Sequence, residues 1–458
     1  MSGISSLLNI AREALMTSQA ELDTTSHNIA NANTDGYTKQ KVVTEAATPI
    51  QTTYGFLGSG VQIQTIMRVR DAYVDEQAMS LNSDLSKATT QQQTMSNVES
   101  IFNETSGDGL SDQLNNLFAA FQSLAQNPED TGIRQTVMQA GQQVATTFNI
   151  MNNKLQNIRY QVAQEVDSDV EKINGLASTI ASINSEILSG PSGSKTSPDL
   201  QDQMDSAVSQ LSQLVNVKVT TDPTGITNVT AGGTVVVAAG TAYTFKTTQT
   251  SGGITIGRSD SSLPATVTSG EISGLLDSYN GNVSSFATQL DNIADTLIQT
   301  VNAFHSAGYT LSTNGTPAQT GKSFFAGNSA GSIAMSPDIV SNLNNIAASS
   351  SGDPGDGQNA TAIANVMNAP VMNNGQSIVN SYQGLIGQVG IASQQSSDSV
   401  QTLQISQNQM KSFQSSISGV SLDEELTNMI QYQHSFEAAA KVVTTTDQMY
   451  QTIIGMVS

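Results

Sequence analysis

The chain has no cysteine and no tryptophan, and only 17 of its 458 residues are lysine or arginine. Without cysteine there is no disulfide framework, no thiolate nucleophile and no cysteine-ligated metal. Against the 17 basic residues stand 38 acidic ones, for a net charge of −21, and no basic run occurs anywhere. That balance argues against nucleic acid and anionic membranes as partners. Charge of either sign is scarce: 12% of residues, about half the average share for soluble domains. Much of the surface must therefore be Ser, Thr, Asn, Gln and Gly. Such a surface suits packing against copies or relatives of itself, where each buried charge would need a partner. Compositional drift in a secreted protein explains it equally well. No apolar run reaches the length of a membrane span. The first residues, MSGISSLLNIAREALMTSQ, are amphipathic and lack the basic flank and apolar centre of a cleaved signal, so export would need another route.

The residues that usually carry chemistry are equally sparse. The three histidines, His27, His305 and His434, stand alone, with no second ligand at zinc-binding spacing. Asp353, Asp356 and Gly357 fall short of a calcium loop and read as a solvated turn. Neither a phosphate-binding Gly-Lys-Ser/Thr loop nor a Gly-x-Ser-x-Gly elbow is present. The sequence predicts no catalytic, cofactor-binding or metal residues.

What the chain has in abundance is helical periodicity, most of all at its ends. Leu422, Met429, Phe436, Val443, Tyr450 and Val457 recur every seven residues, with Leu426, Gln433, Ala440, Asp447 and Ile454 as a second row. At the other end Leu8, Leu15, Leu22 and Ile29 repeat at the same interval, flanked by Ile4, Ala11, Ser18 and Thr25. Spacings of three and four that sum to seven place each set on one narrow helical seam, as partner helices require. One such seam does not offset the entropy of ordering a long helix, so the ends are expected to stay poorly ordered until partner helices arrive.

Between the ends the reading is mainly α with a small β-rich insert. Residues 1–70 and 418–458 are assigned to a terminal coiled-coil domain with an extended arm. Residues 71–215 and 270–417 form a bundle of long helices, and 216–269 a small outer β domain. A stripe from Val137 to Ile187 predicts one helix of about 60 residues, a rod of roughly 90 Å. Helix is read again from Gly270-Glu271 to Phe304. Ser421 and Glu424 read as a capping box opening the last helix. The near-symmetric order predicts a chain that goes out and comes back, with both termini at one end.

Two motifs then carry a resemblance. Ser26-His27-Asn28-Ile29-Ala30-Asn31-Ala32-Asn33-Thr34-Asp35-Gly36-Tyr37 resembles the N-terminal motif of flagellar rod, hook and hook-associated proteins. Ser418-Gly419-Val420-Ser421-Leu422-Asp423-Glu424-Glu425-Leu426 and the helix after it are similar to their C-terminal motif. Three internal stretches narrow the resemblance to the hook-associated members: Asp199 to Asp205, Gly270 to Leu276, and Val301 to Gly308. Two departures stand out: Met204 where the family often has Arg, and a short stretch before residue 270 where longer relatives carry an extra outer domain.

The resemblance implies a non-enzymatic structural protein, exported through the growing flagellum to the cell exterior and forming a ring that joins hook to filament. It implies as partners other copies of the chain, the hook protein, a second junction protein and an export chaperone at the C-terminal helix. Asn28, Asn31, Asn33, Gly36, Tyr37, Gly419 and Glu424 are the motif positions it marks. Two alternatives stay open on the residues alone: another axial component (hook, rod or flagellin-like), and a secreted coiled-coil adhesin. A hydrolase embedded in the bundle is opposed by the missing chemistry.

Overall fold

A computed structural model describes residues 2–34, 36–52, 55–104, 109–189, 197–222, 224–313 and 316–457. The predicted breaks at Gly107-Asp108 and Gly190-Ser194, the Asn314-Gly315 turn, and motif residue Asp35 lie outside them. Helix α1 (Ser2–Asn31) leads into a ribbon of β1 (Gln40–Ala46) and β4 (Val61–Arg68), with β2 (Ile50–Thr52) and β3 (Gly55–Leu57) pairing at its tip. This is the expected arm, kinked by a register shift between Val43 and Thr44. Four helices follow: α2 (Ala72–Phe102), α3 (Leu110–Gln126), α4 (Thr131–Ser189) and α5 (Pro198–Leu214). The carboxylate of Asp71 caps α2 by accepting from Tyr73 N–H at 2.9 Å. The 59 residues of α4 bury the predicted stripe, with Val137, Val144, Phe148, Leu155, Val166, Ile173 and Ile180 fully enclosed.

The β insert is an antiparallel sheet of β5 (Val217–Thr221), β6 (Thr227–Ala231), β7 (Thr234–Ala238) and β8 (Thr241–Ala242). Beside it lies a hairpin of β9 (Phe245–Thr250) and β10 (Gly253–Arg258). The chain returns through α6 (Glu271–Asp277) and α7 (Ser284–Ala307). A loop-rich stretch then holds β11 (Phe325–Ala326), β12 (Ala334–Met335), α8 (Pro337–Ser341) and α9 (Gln358–Asn365). It ends in α10 (Ile378–Ser418) and α11 (Leu422–Val457). Helices α2 and α10 run antiparallel, with Gln414 bonded to Asp75, Gln407 to Asn82 and Ser393 to Glu99. Gly270 starts α6 at φ +87, where an added Cβ would sit 2.5 Å from the Leu214 carbonyl carbon. Only glycine fits there.

The helix expected over 270–304 runs without a break but is not α throughout. Ser278–Val283 forms a π-helical segment between α6 and α7. The extra residue per turn aims Asn280 at β10: its Oδ1 accepts from Ile254 N–H at 2.9 Å and its Nδ2 donates to Ile254 O at 3.0 Å. The same clasp recurs at Asn174 on Phe245 (2.7 and 3.0 Å) and at Asn184 on Thr227 (2.9 and 2.7 Å). Asn302 holds Phe325 in the same way (2.9 and 2.9 Å). A carboxamide offers one acceptor and a donor side by side, so a helix can pair with one extended residue as a neighbouring strand would. In this chain, poor in charge and rich in Asn, that is how non-helical segments are fastened to the rods.

The turn expected to be merely solvated is organised by Asp356. Its carboxylate accepts from the backbone N–H of Ser350, Ser351 and Gln358 at 2.8 to 2.9 Å, and from three serine hydroxyls. Those bonds hold its pKa far below the usual carboxylate range.

His305, also predicted to stand alone, is fully enclosed and fixed at both ring nitrogens. Nδ1 donates to Lys322 O at 2.7 Å, and Nε2 accepts from Ala347 N–H at 2.9 Å, which makes it the neutral tautomer. Burial, with the nearby Arg134 charge, lowers its pKa to about 4 against the bond to Lys322. A folded-state value below the unfolded one gives stability that is complete above pH 6.5 and lost as pH falls towards 4. The advantage of the wild-type chain over His305→Gln in urea midpoint should shrink across that window by the equivalent of about 3 kcal/mol. A constant difference from pH 7 to 4 would contradict the assignment.

Candidate functional site: the joint between the terminal pair and the bundle

The N-terminal motif builds a node around Asn28, which is 1% exposed. Its Oδ1 accepts from Gln40 N–H at 2.9 Å and Tyr37 Oη–H at 2.7 Å. Its Nδ2 donates to Gln40 O at 2.9 Å and Glu425 Oε2 at 3.0 Å. One side chain thus ties α1 to the start of the arm and to the first turn of α11. His27 backs the Tyr37 ring edge-on, with Nδ1 3.1 Å from its hydroxyl. Burial, and the charges of Asp199, Asp202 and Glu425, push the Tyr37 hydroxyl pKa well above its ordinary value. Asn31 donates to His27 O at 3.1 Å, and Gly36 takes φ +78; Asn33 is exposed and takes no part in the node.

The expected capping box is replaced by an ion pair. Glu424 meets Lys39 Nζ at 3.0 Å, and buried Glu425 meets the same ammonium at 3.2 Å. Burial opposes the Lys39 charge, but the two carboxylates outweigh it and raise its pKa. Gly419 N–H caps α10 through Ser415 O at 2.9 Å, and Ser418 O accepts from Lys39 N–H at 3.0 Å.

A second cluster joins the arm to α5. Arg68 Nη1 lies 2.6 Å from both Asp202 Oδ1 and Asp205 Oδ2, and its Nε donates to Gln201 Oε1 at 3.0 Å. Arg70 reaches Asp205 at 2.5 Å and Asp75 at 2.8 Å. Gln40 Nε2 donates to Asp199 at 3.0 Å, and Thr38 N–H to Asp202 at 3.2 Å. The Asp199-to-Asp205 stretch thus presents carboxylates at intervals of three on one face of α5, all turned to the arm. Arg68, Arg70, Lys39, Gln40 and Glu425 were not singled out from sequence. The signal available was the pairing of two of only 17 basic residues, two positions apart, with that acidic spacing.

The terminal helices pack antiparallel, with Ser5 Oγ 2.7 Å from Tyr450 Oη at the far end. Met429, Phe436, Val443 and Tyr450 are half-buried along the pair, as are Leu15, Leu22 and Ile29; Leu8 and Leu422 are exposed. The second row differs from expectation. Glu425, Tyr432, Ala439 and Thr446 face α1, whereas Leu426 and Ile454 lie 49% and 64% exposed, and Gln433 and Asp447 are also outward. Rows three and four residues away are equally near the first, and the polar contacts of Glu425 select the former. Opposite stand small residues: Ala11, Thr17, Ser18, Thr24 and Thr25 are buried. The helices approach through small side chains, and larger apolar ones such as Met16, Ile430, Met449 and Met456 are left outside. The placement of the Val457 side chain is outside the described residues.

Among the described residues no group of three or more His, Cys, Asp or Glu side chains is placed to hold a metal ion, and no helix is long and apolar enough to cross a membrane. The arrangement is suited to joining helices.

Comparison with known proteins follows the same division of the chain. Residues 95–325 match the family model described as the flagellar hook-associated protein FlgK helical domain. Residues 8–38 match the flagella basal body rod protein model, and 414–456 the flagellar basal body rod FlgEFG protein C-terminal model. A Bacillus subtilis protein, flagellar hook-associated protein 1, is 31% identical over 98% of this chain and 97% of its own length. The Salmonella typhimurium protein of the same name is 29% identical over 75% of this chain and 62% of its own length. The structure of the flagellar hook junction protein FlgK from Burkholderia pseudomallei superposes with a TM-score of 0.64 at 18% identity. It covers 75% of this chain and all of that one, a likeness of fold. A match over half the chain together with a full-length relative makes this protein a member of the flagellar hook-associated protein 1 family.

Proposed function

We propose that the chain is a structural subunit of the bacterial flagellum, seated at the junction between hook and filament and required for filament assembly. The observation that carries this is the match of a full-length hook-associated relative to a chain whose ends form one antiparallel helix pair with outward apolar side chains. Those side chains, Leu8, Leu422, Leu426 and Ile454 among them, are available to neighbouring subunits in a ring. Leu15, Leu22, Ile29, Met429, Phe436, Val443 and Tyr450 set the pair's own seam. Hook protein below and a second junction protein above are the neighbours this position requires. An export chaperone would cover the same apolar face of α11 before assembly, and passage through the flagellar export apparatus places the mature subunit outside the cell.

Deletion of the gene should leave complete hooks without filaments, with flagellin shed into the medium, as scored by electron microscopy. Complementation with the wild-type chain should restore filaments. Phe436→Asp, which puts a charge on the half-buried seam, should be exported with a folded bundle yet restore fewer than about a tenth as many. Normal filaments on the deletion strain would refute the junction role. A full filament count with Phe436→Asp would refute the role given to the seam.

A further inference from the structure

Helix α11 is made of two stretches of opposite character. From Leu422 to Lys441 only Thr427 and Ile430 are β-branched, and three acids stand in the first turn, where they complement the helix dipole. From Val442 to Met456 the chain runs Val442-Val443-Thr444-Thr445-Thr446 and then resumes branching at Thr452-Ile453-Ile454, ahead of Gly455. No other helix among the described residues has more than two β-branched residues in succession. Branching at Cβ restricts χ1 against the preceding turn, so each such residue favours helix about threefold less than alanine does. The threonine hydroxyls bond within their own helix: Thr444 and Thr445 to Lys441 O at 2.8 Å, Thr446 to Val442 O at 2.7 Å, and Thr452 to Gln448 O at 2.8 Å. Such bonds tie the helix to nothing else and slightly disfavour it. No basic residue closes its last turn.

Little within the single chain offsets this. The shared apolar core runs from Met95 to Val389 and ends there, taking no residue from α1, the arm or α11. Between Val442 and Met456, Thr446 is the enclosed side chain, Val443 and Tyr450 are half-buried, and Val442, Met449, Ile453, Ile454 and Met456 are exposed. We propose that residues 442–456 are a built-in delay: the β-branched run holds this half of α11 out of helix in the free chain, and neighbouring copies draw it in by covering its exposed apolar residues. The proposal rests on the ring assembly put forward above. In the free chain neither half of α11 is held in place, but the first visits helix readily and the second seldom does. Apolar residues at helical spacing share one face only while the backbone is helical. A segment that stays out of helix therefore cannot offer that face to another free copy, and association waits for a site where several partner helices are already in place.

Cα chemical shifts of the full-length monomer test this directly. The wild-type chain should show at least about threefold less helix over 442–456 than over 422–441. Replacing the three exposed threonines (Thr444→Ala, Thr445→Ala, Thr452→Ala) leaves the apolar residues in place and should raise the helix–coil equilibrium of the second stretch about twentyfold. Because a copy competent to associate is then more often present, the concentration at which the chain self-associates in sedimentation should fall about tenfold or more. Valine at the same three positions keeps the branching and should leave the helix population at its wild-type level. Urea unfolding of the bundle should be the same in all three chains. Equal helix in the two stretches of the wild-type chain would overturn the inference, as would an alanine variant that gains no helix. So would one that gains helix yet self-associates no more readily, or a valine variant that gains as much helix as the alanine one. Normal filaments on the deletion strain would remove the ring while leaving the helix populations to be judged on their own.

Discussion

Arg134→Met should lower the stability of the bundle by about 3–5 kcal/mol, read as a fall in urea midpoint at unchanged slope. Arg134 lies in the first turns of α4 and is 1% exposed. Its Nε donates to Pro128 O at 2.8 Å, and its Nη1 to Leu343 O at 3.2 Å and Ile346 O at 2.7 Å. Burial lowers its pKa to about 10, with Glu129 opposing, so the group is still charged at neutral pH. Methionine fills the stem's volume but donates nothing. Carbonyls of the 343–346 turn then lose their donor in a site water does not reach, and each such loss costs roughly 1–3 kcal/mol. The damage extends to Ala347, whose N–H is held by His305. An unchanged midpoint would mean that the turn is held by its apolar contacts alone.

Asn28→Asp is expected to act at the other end of the molecule and to spare the bundle. The substitution keeps the shape of the side chain and the Oδ1 acceptor but removes the Nδ2 donor. A carboxylate then faces Gln40 O, formerly at 2.9 Å, and Glu425 Oε2, formerly at 3.0 Å. Two like charges at bonding distance in a site about 1% exposed, with a backbone carbonyl left unpaired, should cost about 3–5 kcal/mol. That corresponds to a loss of about two to four orders of magnitude in the docked population of α11. Filaments should be lost in the complemented deletion strain, with urea unfolding of the bundle unaltered. A full filament count would remove Asn28 from its place as the node of the joint.

Both residues show how differently the sequence spoke about different parts of the protein. Asn28 stood inside a motif and could be marked without a structure, although its four bonds could not. Arg134 sits in a helix read only for its apolar stripe. A guanidinium three residues before Val137 gives no sign that a turn 200 residues later will wrap it. The aspartates of α5 were visible as a stretch, yet the arm that meets them lies about 130 residues earlier. In the terminal pair the heptad row from Met429 to Tyr450 was legible, but its companion row was not. Helical spacing makes positions three and four residues away equally near, and only the contact of Glu425 with Asn28 and Lys39 separates them.

By itself the sequence determined whatever depends on spacing along one chain. That includes the lengths of the rods, the alternation of arm and insert, the end seams, the scarcity of charge, and the absence of cysteine chemistry. Hydrophobic period and turn residues act over a few positions, and a single chain displays them in full. Tertiary structure decided which of two equal helical rows meets its neighbour, and where a core ends. It also decided that helix asparagines clasp strands, and that charges from the arm, α2, α5 and α11 meet at one joint. Those outcomes depend on residues hundreds of positions apart being brought within 3 Å, where polar groups leaving water must find partners or not be buried at all.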